Sequence, residues 1–249
     1  MTKGGDKALP VRERMQLALP VRVHGRETSD FDWTEMSRLR DVTPFGARFT
    51  LKRPTELGRL LHLTLPMPRQ LRVFDHVEDQ YRVWCVVRNL KLLDPLKEQG
   101  ALVEIGVAFI GKRPPRSFEI DPTRRYDIVG PNTEVDWSKD GHAGPALVEK
   151  VNTHQQRETR HIIPVSVVIE AFDEKGALSQ AENTVTENLS SHGASVFTSI
   201  SLPAGRFVKI TSDQYRISLL AAVRSSHTGV DGVTRLHLEF VGQEWPLNV

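Results

Sequence analysis

The chain has 249 residues, 26% of them charged and 39% hydrophobic, with 33 Lys and Arg against 31 Asp and Glu and a formal net charge of +2. That balance lacks the basic footprint of a protein that coats nucleic acid, and no nucleic acid is expected as a partner. A single cysteine, Cys85, excludes an internal disulfide and fits a reducing compartment. Residues 1–20 carry charges throughout and form no signal-peptide apolar stretch, and nowhere do about eighteen apolar residues run together to span a membrane. A cytoplasmic protein without membrane insertion is expected.

In chain order, Leu19-Pro20-Val21-Arg22-Val23 opens a β-rich segment, and Gly25 to Asp32 reads as a turn. Gly46-Ala47 follows, and twelve residues after Gly46 comes Gly58-Arg59-Leu60-Leu61. Leu61, Leu63 and Leu65 alternate with Leu60, His62 and Thr64, the period of a strand. Extra residues, roughly Leu65–Val77, read as a lengthened hairpin, since loops accept length at small entropic cost. The string DQYRV at Asp79–Val83 enters a second alternating strand, with Tyr81, Val83, Cys85 and Val87 on one face. Ala108-Phe109-Ile110-Gly111 closes the segment.

Residues 116–156 are rich in Asp, Arg, Pro, Gly, Asn and His and read as a linker, with Pro145–Val151 as one short helix begun by Pro145. Beyond it the same order returns. Ile163-Pro164-Val165-Ser166-Val167 leads to a hairpin turn at Asp173-Glu174-Lys175-Gly176. Gly193-Ala194 and Gly205-Arg206-Phe207-Val208 again stand twelve residues apart. DQYRI at Asp213–Ile217 and Glu239-Phe240-Val241-Gly242 complete the set, and Trp245 beside Pro246 is expected to close the end. Four ordered matches, one with identical spacing, establish a duplication. The domains expected are 1–115, a linker at 116–156, and 157–249. Short alternating strands with few helices make the fold class all-β, each copy an antiparallel barrel.

The candidate site residues lie around the Gly-Ala block. The second copy has Asn188, Ser190 and Gly193, preceded by Arg157 and Arg160; the first has Asp41, Thr43 and Gly46, preceded by Arg12 and Arg14. An Asn-x-Ser-x-x-Gly run between strands is also an ordinary turn, Asn and Ser bonding the local backbone and Gly bending it. In its order, however, the arrangement resembles the PilZ domain, whose signature is an RxxxR stretch followed about thirty residues later by (D/N)xSxxG. The resemblance covers both copies. It implies six-stranded barrels in tandem and a bacterial receptor for the second messenger cyclic di-GMP, acting through an unidentified protein partner. Arginines suit such a ligand because they fork onto phosphate or onto guanine O6 and N7.

The second copy is the better match. Its arginines are spaced RxxR, whereas the first copy has Arg12-Glu13-Arg14, a threonine at 43 and Pro44 behind it. The first is therefore expected to be a weaker or degenerate site, and the alternative for the whole chain is an interaction protein that has lost nucleotide binding. No catalytic residue, metal ligand or cofactor is assigned. Ser190, Ser191 and His192 are neighbours expected to point apart, and His24, His62, His76 and His237 stand singly, as surface or half-buried side chains do. Cys85 reads as a core residue.

Overall fold

The computed structural model describes residues 18–94, 100–128, 147–150 and 160–247. The first copy forms β1 (Pro20–Thr28), β2 (Phe31–Thr43), β3 (Gly46–Leu51), β4 (Leu60–Leu65), β5 (Tyr81–Leu92) and β6 (Val103–Gly111). They pair in the order β1-β2-β3-β6-β5-β4, and β4 returns to β1, closing a six-stranded antiparallel barrel. After it come helix α1 (Arg116–Ile120) and a two-stranded ribbon of β7 (Tyr126–Ile128) and β8 (Leu147–Glu149). The second copy forms β9 (Ser166–Phe172), β10 (Leu178–Leu189), β11 (Gly193–Thr198), β12 (Phe207–Ser212), β13 (Ile217–Thr228) and β14 (Thr234–Val241). Their order, β10-β11-β14-β13-β12-β9, is the same closed ring. The all-β tandem of six-stranded barrels expected from the sequence is the fold observed. No helix of the described residues is long and apolar enough to cross a membrane.

Alternation builds each core. Tyr81, Val83, Cys85 and Val87 are buried inside the first barrel while Arg82 and Arg88 face water. The Cys85 thiol donates to the Leu61 carbonyl, and burial pushes its pKa up, so the thiol is an inert core group. Trp245 caps the second core against Phe240 and Tyr215. The residues between β4 and β5 form the longer loop expected, held by buried Arg72, which donates to the carbonyls of Met67 and Asp79, both at 2.8 Å. The turn at Asp173–Gly176 is present, Asp173 Oδ1 accepting from Lys175 N at 2.8 Å and Ala177 N at 2.9 Å. In the first copy the matching turn is confined to Ser29-Asp30, because Gly25 lies within β1, where a Cβ would meet the Trp33 indole at 2.4 Å.

The copies agree bond for bond at several points. Phe109 N donates to Phe45 O at 2.8 Å, and Phe240 N to His192 O at 2.7 Å. Bulges fall between Leu39 and Asp41 and between Thr186 and Asn188, and again between Val87 and Asn89 and between Val223 and Ser225. One sequence match slips. Strand register sets Val86 and Ala222 as equivalents, each opposite the first residue of β4 or β12, which makes Ile217 and not Tyr215 the counterpart of Tyr81. Tyr215 lies in the turn just ahead of β13 and packs there on Trp245.

Two features of the linker differ from expectation. Leu147–Glu149 is a strand and not a helix, because Tyr126–Ile128 offers it an antiparallel partner and Arg124 holds Glu149 at 2.6 Å; Pro145, Ala146 and Val151 lie outside the described residues. Helix α1 is anchored by buried Phe118, which covers Leu60, Val86, Ile110 and Tyr126 on the outside of the first barrel.

The barrels meet through the repeated Gly-Arg block. Gly58 and Gly205 both take positive φ, +84° and +94°, and a Cβ on either would strike backbone oxygen, that of Tyr126 at 2.9 Å or that of Glu27 at 2.7 Å. Arg59 reaches across to the Gly205 carbonyl at 2.7 Å, and Arg206 reaches back to Glu27 at 3.1 Å while lying 3.4 Å over the Phe31 ring. Glu56 sits amid Arg59, Arg125 and Arg224, and Arg125 and Arg224 also hold Glu239. Burial would raise the Glu56 pKa, but the three guanidinium groups more than offset it and hold the carboxyl below its ordinary value. At Glu27, burial wins over Arg206, Arg53 and Arg59 and the pKa rises. Phe207, Leu220, Ala222 and Val241 of the second copy join the core cluster of the first.

Candidate functional site

The corner between β10 and β11 gathers most of the sequence candidates of the second copy. Ser190 is buried, its hydroxyl 3.2 Å from both the nitrogen and the carbonyl of Gly193, so the turn satisfies itself. Gly193 is there for a packing reason as well. A Cβ would sit 2.4 Å from the Leu238 carbonyl on β14, and the equivalent Gly46 would place one 2.2 Å from the Val107 carbonyl on β6. Asn188 differs from both. It is half-buried on the outer face, paired in register with Ser195, and none of the described residues hydrogen-bonds its carboxamide.

Arg160 enters this corner from the chain ahead of β9. His161 exchanges backbone hydrogen bonds with Leu189 at 2.8 and 2.9 Å, an isolated antiparallel bridge. That bridge turns the Arg160 side chain to the same outward side as Asn188. Arg160 is exposed and close enough to His237 to affect its titration. Arg157 lies outside the described residues, as do Arg12 and Arg14.

Ser195, Arg235 and His237, none of them among the candidate site residues, complete the corner. Ser195 pairs with Asn188 on one side and His237 on the other, and its hydroxyl donates to Glu187 at 2.9 Å. Arg235 donates to Glu187 at 2.8 Å and to Asp231, and lies 4.8 Å over the Phe197 ring. The hydrogen bonds from Arg235 and then Ser195 draw the Glu187 pKa down. His237, expected to stand singly, stacks on His227 with centroids 4.9 Å apart and nitrogens at 3.1 Å. No local motif announces these partners, because strand register across three hairpins brings them together.

The first barrel uses the same positions to close the corner. Register makes Asp41 the counterpart of Asn188, and Arg48 that of Ser195. Arg48 grips Asp41 through two hydrogen bonds, Nε at 2.8 Å, so the carboxylate has a partner already. Thr43 is spent on the turn, accepting from Phe45 N at 3.2 Å and donating to the Gly46 carbonyl at 3.3 Å. The flanking ion pair is kept with its sign reversed: Arg40 to Glu104 at 3.1 Å in the first copy, Glu187 to Arg235 at 2.8 Å in the second.

One expected separation fails. Ser191 and His192 do meet, Oγ to Nδ1 at 3.0 Å, and His192 Nε2 lies 3.2 Å from Glu244. His192 and Glu244 are more than half exposed. Among the described residues no group of three or more His, Cys, Asp or Glu is placed to hold a metal ion.

No family model and no curated protein matches the chain. Among solved structures, the Bacillus subtilis inhibitor of motility (MotI/DgrA) aligns at 13% identity over 92% of this chain and 90% of that one, with a TM-score of 0.29. The Borreliella burgdorferi PlzA protein in complex with c-di-GMP aligns at 11% identity over 92% and 84%, TM-score 0.29. Escherichia coli YcgR in complex with c-di-GMP aligns at 12% over 90% and 76%, TM-score 0.28. The class to which the chain is assigned rests on its own topology, two closed six-stranded barrels of one order.

Proposed function

We propose that the protein is a cytoplasmic bacterial receptor for cyclic di-GMP, without enzymatic activity of its own, that binds the nucleotide at the second barrel and signals through protein contacts. The observation that carries this reading is the open corner of the second copy, where an unpaired carboxamide at Asn188 faces outward beside the cation of Arg160. Asn188 supplies an acceptor and a donor for a guanine edge, and Arg160 supplies a forked cation for phosphate or for guanine O6 and N7. Gly193 leaves the turn free of a side chain, and Ser190 fixes its shape rather than reaching for ligand. Arg157, three residues ahead of Arg160, is the second cation of this proposed site.

A route outward exists in the strands. Gly193 lies opposite Glu239 in the β11–β14 ladder, and the Glu239 carboxylate pairs with Arg125 and Arg224 at the contact between barrels. Ligand at the corner therefore presses on the same strand that anchors the first copy. The first barrel, its own corner closed by Arg48, fits a supporting or partner-docking module.

Calorimetric titration of the full chain with cyclic di-GMP tests the reading. Saturable binding in the micromolar range is expected, weakened at least tenfold by Arg160→Ala and unchanged by Asp41→Ala. Absence of heat and of saturation would leave the second interpretation, a partner-binding protein that has lost its nucleotide site, for which the self-satisfied Ser190–Gly193 turn speaks.

A further inference from the structure

His227 and His237 are the least explained groups on the second barrel. They are not core residues: His237 is half-buried on the outer face of β14, and Ser225, Ser226, His227 and Thr228 at the end of β13 are all exposed. Their rings stack with an interplanar angle of 13°, Nε2 of His237 against Nδ1 of His227. Such a contact needs one N–H and one bare nitrogen, so the pair is compatible with one charge at most and is broken when both rings are protonated.

The charges around the pair are mostly of one sign. His237 on β14 faces His227 on β13, Arg160 on the lead-in, Arg235 on its own strand and Glu187 on β10. Burial first, then His227 and Arg160, depress its pKa. Glu187 is the one acid in that set, and it is committed to Arg235 and Ser195, while Asp231 beyond is committed to Arg235 as well. Both acids are thus paired with Arg235, and Arg160 is the cation of the set without an acidic partner among the described residues.

Its position relative to the corner is fixed by register. Asn188 pairs with Ser195, and Ser195 with His237, so the imidazole stands two strands from the carboxamide, about 10 Å away at ordinary strand spacing. A dinucleotide is long enough to put a purine edge at one end of that row and a phosphate at the other. The first barrel, with its closed corner, has Gly106 and Lys91 at the equivalent places. The paired histidines thus accompany the open corner and are absent from the closed one.

We propose that His227 and His237 form the far half of the nucleotide site, receiving a phosphate of the ligand, and that binding is accompanied by proton uptake on the pair, one proton where it is already singly charged and two where it is neutral. This inference rests on the receptor reading above. An anion between the rings replaces their mutual hydrogen bond and stabilises the doubly protonated pair, so affinity is highest below the titration of the histidines and declines as pH rises through it.

The test is calorimetry of cyclic di-GMP with the full chain at about pH 6 and about pH 8, each in two buffers of different ionisation enthalpy to count protons. Affinity should be about tenfold tighter at the lower pH with net proton uptake. His237→Gln should keep binding yet lose the pH slope and the uptake, His227→Gln should reduce both, and His76→Gln, in the distant first-barrel loop, should change neither. Binding that is equal at both pH values, or a slope that survives His237→Gln, overturns the inference alone. Absence of binding at either pH overturns the inference together with the receptor reading.

Discussion

Two corners with one backbone have opposite fates in this molecule. In each, a bulged strand passes into a turn whose hydroxyl braces the following glycine, and in each that glycine lies against a carbonyl of the neighbouring strand. Asp41 in the first corner is captured by Arg48, whereas Asn188 in the second faces Ser195, too short and too neutral to capture it. A duplicated fold therefore does not duplicate its side-chain contacts. Whether a corner is closed by an ion pair depends on what occupies the adjacent strand two residues past the glycine.

The comparison is most severely tested by removing the frame the corners share. Glu56→Ala would leave Arg59 buried without its carboxylate and Arg224 with Glu239 alone, and should cost about 3–5 kcal/mol, read by denaturant unfolding. Both barrels should lose stability together; a loss confined to the first would separate them. Next in size, Gly46→Val and Gly193→Val should each cost about 1–3 kcal/mol by driving a side chain into the Val107 or Leu238 carbonyl. Similar losses in the two would affirm that the glycines have one structural task, and a marked inequality would break the equivalence.

Transplanting the closure is the sharper experiment. The double change Asn188→Asp with Ser195→Arg gives the second corner the first corner's ion pair and should weaken cyclic di-GMP binding at least tenfold, about 1.4 kcal/mol, in calorimetric titration. Retained affinity would show that Asn188 takes no part.

The smallest effect concerns the sign-reversed flank. Glu187 has its pKa lowered from 4.5 by the hydrogen bonds from Arg235 and Ser195. A depressed carboxyl contributes stability that is complete above that ordinary value and is lost as pH falls through the lower folded-state value. Melting temperature should therefore fall less steeply below about pH 4.5 in Glu187→Gln than in the unaltered protein. Parallel curves would deny the carboxylate this role.

Much of this was legible in the residues. Period-two alternation in Tyr81–Arg88 and Leu60–Leu65 announces strands because successive side chains of a strand take opposite faces, and the ordered repeat announces two copies. The Asn188-to-Gly193 run marks the corner because turn chemistry is local. The linker was misread at Leu147–Glu149 because a three-residue strand is decided by its partner, Tyr126–Ile128, which lies some twenty residues earlier. The DQYR strings mislead by two residues for a related reason: identity of letters says nothing of which residue a strand opposes.

The sequence by itself determined the all-β class, the duplication, the inward faces of the strands and the place of the two turns, since each of these is written in short-range order. Only the tertiary structure decided which corner is open, that His227 meets His237, and that Arg59 and Arg206 reach across from one copy to the other. Those facts depend on register and barrel closure, which set residues from 10 to 179 positions apart within hydrogen-bonding distance and leave no periodic trace along the chain.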